Sequence, residues 1–269
     1  MKTVPFVAYG SGRIKMVVPL AQALAANGMA KPVVLALTTA APVARAAGLE
    51  VLQFRDFVTE ADGAALALGQ QLMQGLDGPV ADPQETAAYL GLSMADLIAD
   101  VGPEEAGQAY RQFGRQAFLP VRTLDRILRQ VEPDLVVCTN SPRAERAAVL
   151  AVRQLGIPSI CVVDLFAIDE VKWIGAPDYA DQVCVLNESV RQFLIAAGRS
   201  QDQVVVTGNP GFDALNAPAA LAQGRQIREQ RGWLDRRVIL WPTQVEPALP
   251  PVDGRPGDAT FPQRAVAAF

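Results

Sequence analysis

Four short stretches of this chain combine charged side chains, amides and glycines in ways that can grip an anion or move a proton. The first is Gly10-Ser11-Gly12-Arg13. Its glycines let the backbone approach a ligand, and a helix that follows would point its positive end at an anion. The second is Thr139-Asn140-Ser141-Pro142-Arg143-Ala144-Glu145-Arg146. There Ser141 reads as an N-cap and Pro142 as the first helical residue. Arg143 opposes the helix dipole and calls for an anionic partner, either a ligand phosphate or the carboxylate of Glu145. The third is Asp164, directly after an apolar run, followed by Asp169 and Glu170. Carboxylates clustered at a cleft can have their pKa values pushed apart and serve as base and acid. The fourth, Thr207-Gly208-Asn209-Pro210-Gly211-Phe212-Asp213, is a dense turn in which Asp213 can cap a helix and the whole can face a ligand as a hinge. Each stretch also has a purely structural reading: a tight turn, a helix start, a solvated loop, a connection.

Composition narrows the chemistry. The 269 residues include no histidine. That excludes Ser-His-Asp and Cys-His catalysis, histidine-ligated zinc and an imidazole base. Carboxylates, Arg, Lys, Ser, Thr, Tyr, Cys and backbone dipoles remain. The three cysteines, Cys138, Cys161 and Cys184, lie in separate apolar runs with no CxxC pair, which predicts reduced core thiols rather than a redox or zinc site. A net charge of −4 argues against nucleic acid. Hydrophobic residues make up 50% and charged residues 19%, so the chain is a globular one. The first ten residues lack the pattern of a signal peptide, and no run of about 18 apolar residues occurs, so a cytoplasmic location without a membrane span is expected.

The elements that must position these stretches follow from periodicity. Apolar strands are expected at Thr3–Tyr9, Pro32–Thr38, Glu50–Phe54, Asp134–Thr139, Pro158–Asp164, Gln182–Leu186 and Gln203–Thr207. Helices are expected between them, at Met16–Ala26, Pro42–Ala47, Pro142–Leu155 and Glu188–Ala197. That alternation predicts an α/β fold: a Rossmann-like, doubly wound parallel sheet with helices on both faces. A helical insertion is expected over about 59–131, broken at Gly75–Pro83 and Gly102-Pro103. The first domain spans 1–215 and an interdomain linker 216–236, with a helix over Asn216–Arg231, and a strand at Arg237–Trp241 opens 237–269. Prolines crowd that tail, which is too short for a core of its own. The expectation is a second domain cut short, the alternative a tail folded back on the first. Parallel sheets bind ligands beyond the carboxyl ends of their strands, where all four stretches fall.

Two of these stretches carry a resemblance. Gly10-Ser11-Gly12 with Ile14-Lys15-Met16 and Pro19-Leu20 resembles Gly-Thr-Arg-Pro-Glu-x-Ile-Lys-x-x-Pro-Leu of the non-hydrolysing UDP-N-acetylglucosamine 2-epimerases, with a shortened loop. Val206-Thr207-Gly208-Asn209 with Phe212-Asp213-Ala214-Leu215 resembles their Val-Thr-Gly-Asn-Thr-x-x-Asp-Ala-Leu. Over about 1–240 the chain resembles the N-terminal domain of the GT-B superfamily, which holds these epimerases and nucleotide-sugar-dependent glycosyltransferases. It departs from the epimerases in carrying Asn140 for a catalytic Asp, Asp164 for a Glu, and Pro242-Thr243-Gln244-Val245-Glu246-Pro247 for Gly-His-Arg-Arg-Glu-Asn. The resemblance implies a nucleotide-sugar glycosyltransferase of bacterial polysaccharide biosynthesis, of which this chain is the acceptor-side part, inactive alone. It further implies a UDP-sugar donor, a sugar or lipid-linked acceptor, no metal or other cofactor, and a homodimer as an admissible assembly. Asp164 and Glu170 are the catalytic candidates. Gly10, Ser11, Gly12, Arg13, Asn140, Ser141, Arg143, Asn209 and Asp213 are the ligand-binding ones. The alternatives are 2-epimerase-like chemistry and a non-catalytic binding module of the same fold.

Overall fold

The computed structural model describes residues 1–10, 12–76, 80–240, 260 and 263–264. The chain divides into two compact units, Met1–Leu215 and Asn216–Phe269.

The first unit alternates strand and helix. It comprises β1 (Thr3–Tyr9), α1 (Gly12–Ala26), β2 (Lys31–Leu37), α2 (Ala40–Ala46) and β3 (Glu50–Leu52). The helical insertion follows as α3 (Gly63–Gln74), α4 (Pro83–Val101), α5 (Pro103–Phe113) and α6 (Val121–Val131). The alternation resumes with β4 (Val136–Thr139), α7 (Ala144–Gln154), β5 (Ser159–Val162), a one-turn α8 (Val171–Ile174), β6 (Gln182–Val185), α9 (Glu188–Ala196) and β7 (Val204–Val206). The seven strands form one all-parallel sheet in the order β3-β2-β1-β4-β5-β6-β7. The order reverses between β1 and β4, which opens a crevice beyond their carboxyl ends.

Strand periodicity builds two cores. Val7, Tyr9, Leu35, Leu37, Cys138 and Cys161 face one side and pack with the apolar faces of α4, α6 and α7. Phe6, Ala8, Val34, Ala36, Val137 and Val162 face the other, against Ile14, Met16, Val17 and Ala21 of α1 and Ala40, Ala41 and Ala44 of α2. Cys138 and Cys161 are buried free thiols and Cys184 is half-buried; burial raises the pKa of all three, which makes them poor nucleophiles.

The insertion docks by close packing. A Cβ on Gly69 of α3 would lie 2.0 Å from the Ala87 carbonyl oxygen of α4, and one on Gly91 of α4 would lie 2.1 Å from the Ala65 carbonyl oxygen of α3. Only glycine lets these two backbones touch. Asp96 of α4 then accepts the Thr123 N–H at 2.9 Å, satisfying a free donor in the first turn of α6.

Two local expectations shift. α7 begins at Ala144 rather than at Pro142, and the hydroxyl of Ser141 caps nothing. A carboxylate from within the helix takes the Ser141 N–H instead. In the second unit α10 (Pro218–Gln230) forms near the expected linker helix, but Arg237–Leu240 adopts no strand; Trp241 lies outside the described residues. A strand needs a neighbour to take its N–H and C=O groups, and its apolar pattern alone provides none.

Candidate functional site

The carboxyl ends of β1, β4, β5 and β7 bring their turns together. Asp164, two residues past β5, is the hub. Its Oδ1 accepts the Asn140 side-chain amide at 3.0 Å and the Leu165 N–H at 2.8 Å. Asn140 returns the contact by accepting the Asp164 N–H at 3.2 Å. Asn209, beyond β7, donates its amide to the Asp164 carbonyl at 2.8 Å and accepts the Gly211 N–H at 2.9 Å. Arg13, in the first turn of α1, places a guanidinium nitrogen 3.8 Å from Asp164 Oδ2. Arg13 and Asp164 keep side-chain exposures of 28% and 30%, so both are held by protein yet open to a ligand.

Glu145 anchors the floor of this cluster. It is fully buried on α7, accepts the Tyr9 N–H at 2.8 Å and the Ser141 N–H at 2.7 Å, and lies 4.0 Å from Arg13 Nε. Burial raises its pKa, while Arg13 and the two N–H donors pull the other way. One carboxylate therefore joins the end of β1, the β4–α7 turn and the start of α1. Arg13 Nε and Ser141 Oγ are buried at the same place with no hydrogen-bond partner among the described residues.

The remaining sequence candidates divide. Gly10 is sterically required: a Cβ there would meet Thr39 Oγ1 at 1.9 Å. A Cβ on Gly12 would meet nothing within 4 Å, so space does not demand glycine there. Ser11 lies outside the described residues. Arg143 does not pair with Glu145; its guanidinium sits 4.4 Å above the Tyr9 ring, and Arg13 takes the place beside Glu145. Glu170 precedes α8 and Asp213 sits in a 3-10 turn at 210–216; neither side chain makes a hydrogen bond or ion pair with a described residue. They are not joined to the Asp164 cluster. No group of three or more His, Cys, Asp or Glu stands together to hold a metal among the described residues, and none of the described helices is long and apolar enough to cross a membrane.

Sequence reasoning passed over a second group, on the β2 side of the crevice. The Tyr9 and Tyr89 hydroxyls share a hydrogen bond at 2.7 Å, and Tyr89 packs edge-on against Phe54 and Phe118. Beside it Glu85 accepts the Phe54 and Arg55 N–H groups at 3.2 and 3.0 Å. Asp82, the N-cap of α4, is clamped by Arg55 at 2.8 and 3.0 Å. The available signal was Asp82-Pro83-x-Glu85, an N-cap followed by proline and an acid.

No protein-family model matches this chain, and no curated protein does. Solved structures do. UDP-GlcNAc 2-epimerase from Neisseria meningitidis, bound to UDP-GlcNAc, aligns at 14% identity with a TM-score of 0.50, covering 86% of this chain and 52% of that one. UDP-GlcNAc 2-epimerase from Methanocaldococcus jannaschii aligns at 14% identity and a TM-score of 0.48, covering 89% and 54%. MurG of Acinetobacter baumannii aligns at 16% identity and 0.41, covering 71% and 42%. The chain thus spans about half the length of the structures it matches. At these identities the likeness speaks for fold alone: the first unit has a Rossmann-like α/β architecture, similar to that of the meningococcal structure.

Proposed function

We propose that this chain is the acceptor-side part of a GT-B-type glycosyltransferase that moves a sugar from a nucleotide donor to an acceptor hydroxyl in the building of a bacterial polysaccharide. The observation that carries the reading is the convergence of Arg13, Asn140, Asp164 and Asn209 on one crevice at the sheet's carboxyl edge. Asn140 and Leu165 hold Asp164 by Oδ1, which leaves Oδ2 as the atom to accept the acceptor's hydroxyl proton while that oxygen attacks the anomeric carbon. Arg13, whose side chain stays 28% exposed, stands ready for phosphate or sugar oxygens. The UDP moiety leaves with the bonding pair of the broken glycosidic bond. A UDP-sugar is the proposed donor, and a sugar or lipid-linked sugar the acceptor.

Epimerase-like chemistry is the second reading, favoured by the likeness to the meningococcal 2-epimerase fold. Against it, Asn140 stands where the resemblance to the epimerases calls for an acid, and its amide is committed to Asp164 in both directions. An amide so placed braces a carboxylate and delivers no proton.

The test is UDP release from UDP-sugars, with a panel of sugar acceptors, on the protein expressed from its complete reading frame. Asp164→Asn lowers turnover by about a hundredfold or more while leaving donor affinity unchanged. Absence of glycosylated product, or an Asp164→Asn variant with full turnover, overturns the transfer reading. N-acetylmannosamine and UDP as products would establish the epimerase instead.

A further inference from the structure

Beyond the end of β2 lies a cavity of about 450 Å³ that shares no lining residue with the four turns. Thr38, Thr39, Glu85, Thr86, Tyr89 and Arg115 line it. Its size is that of sites for small molecules, and a monosaccharide fits with room to spare. Three threonine hydroxyls can each donate and accept, as a polyol requires, while the buried Tyr89 hydroxyl and Glu85 carboxyl behind them are already bonded to Tyr9 and to the Phe54 and Arg55 N–H groups.

Two further observations show that this is a shaped place. Thr38 has φ of 53°, the left-handed region that a β-branched residue avoids. Strain of that kind persists only where the surroundings impose it. It turns Thr38 and Thr39 out of the sheet at the cavity's mouth, where both are exposed. Gly10 in turn leaves room for the Thr39 side chain.

The charged groups of the wall differ in how they are held. Asp82, also on the wall, is paired with Arg55, which also lies 3.9 Å from Asp56. Glu85 donates its N–H to the Asp82 cap; burial, aided by Asp56, outweighs Arg55 and the two backbone N–H donors and lifts its pKa to about 7, so it carries little charge below neutrality. Arg115 is exposed and makes no ion pair with a described residue. Arg143 sits over the neighbouring Tyr9 ring, outside the cavity's lining, and it and Arg115 both act electrostatically on Tyr89. Arg115 is the cation among the lining residues and has no ion-pair partner among the described ones, whereas Asp82 is held by Arg55 and Glu85 by two backbone N–H donors; an unpaired guanidinium at the rim of a hydroxyl-lined hollow suits an anion that also carries hydroxyls.

We propose that this cavity binds a hydroxyl-rich small molecule bearing one anionic group, a sugar acid or a sugar phosphate, with Arg115 on the anionic group and Thr38, Thr39 and Thr86 on the hydroxyls. The site is separate from the Asp164 cluster and stands whether or not the transfer reading does.

The experiment is calorimetric titration of the full chain, near pH 6, with glucuronate and glucose 6-phosphate. Glucose serves as the neutral control, and acetate and inorganic phosphate as bare anions. At least one anionic sugar binds saturably, about tenfold or more tighter than glucose and than its own bare anion. Which one binds tells carboxylate from phosphate. Amide resonances of Thr38, Thr39 and Thr86 shift on binding, and those of Asn140 and Asp164 do not. Arg115→Ala, at an exposed position, weakens binding about tenfold. No saturation by either anionic sugar up to about 10 mM, equal affinity for glucose or the bare anion, shifts centred on Asp164, or an unaffected Arg115→Ala variant each overturns it. The resonance shifts read the wild-type chain, so they decide the matter even if the variant misfolds.

Discussion

Glu85 makes the stability of this protein depend on pH in a direction opposite to that of most carboxylates. Its side chain is 2% exposed at the head of α4. Burial raises its pKa from 4.5 to about 7 and outweighs the lowering by the Arg55 and Phe54 N–H groups and by the Arg55 charge, while Asp56 adds to the rise. Between those two values the folded chain holds a proton that the unfolded chain has lost. The contribution is therefore fully present below about pH 4.5 and disappears as pH climbs through about 7. At ~1.4 kcal/mol per pH unit, the rise amounts to about 3 kcal/mol. Glu85→Gln removes the titration and keeps an acceptor oxygen and nearly the same shape. The measurement is urea unfolding of both proteins from about pH 4 to about pH 8.5, taken as the difference between them so that other titrating groups cancel. Wild type relative to Glu85→Gln should lose about 3 kcal/mol across that range, a relative midpoint shift of roughly 1 M urea or more. A difference that stays flat, or grows in favour of wild type as pH rises, would refute the claim that burial prevails over the two N–H donors.

Other outcomes follow from the same structure. Glu145→Ala strands the buried Tyr9 and Ser141 N–H groups and leaves Arg13 one anion short, which costs roughly 3–5 kcal/mol; Glu145→Gln, with one acceptor oxygen, should fall between it and wild type in denaturant unfolding. Gly69→Ala and Gly91→Ala each drive a methyl group into an opposing carbonyl oxygen, so α3 and α4 must part and thermal unfolding should drop by several degrees or more. Gly63→Ala, with nothing within 4 Å of its Cβ and helical φ and ψ of −55° and −42°, is the control and should be neutral or stabilising by about 0.5 kcal/mol. Modification of Cys138 or Cys161 by a thiol reagent in the folded chain should require unfolding, because both are buried with raised pKa values; rapid labelling without denaturant would contradict that burial.

Much of the fold was written locally. Seven apolar runs separated by turns and helical segments announce a parallel sheet, because a strand buried on both faces has no polar face to show. Gly102-Pro103 breaks the insertion where α4 gives way to α5, because proline cannot continue a helix but can begin one. The turns that carry Arg13, Asn140, Asp164 and Asn209 were visible as breaks rich in polar residues and glycine. What the chain's local pattern did not hold was which side chain meets which. Ser141-Pro142 reads as a helix start, yet α7 begins two residues after Pro142, because Glu145 reaches across to Tyr9, 136 residues away, and takes the Ser141 N–H as well. Arg143 was in place for that carboxylate by spacing and lost it to Arg13, which comes from another strand's turn. Tyr9 and Tyr89, 80 residues apart, meet only because the insertion packs against the ends of β1 and β2. Periodicity and turn chemistry act over a few residues and can be read one segment at a time. The order of strands and the docking of helices are settled by burial summed over the whole unit, and that sum alone places distant polar groups within reach of one another.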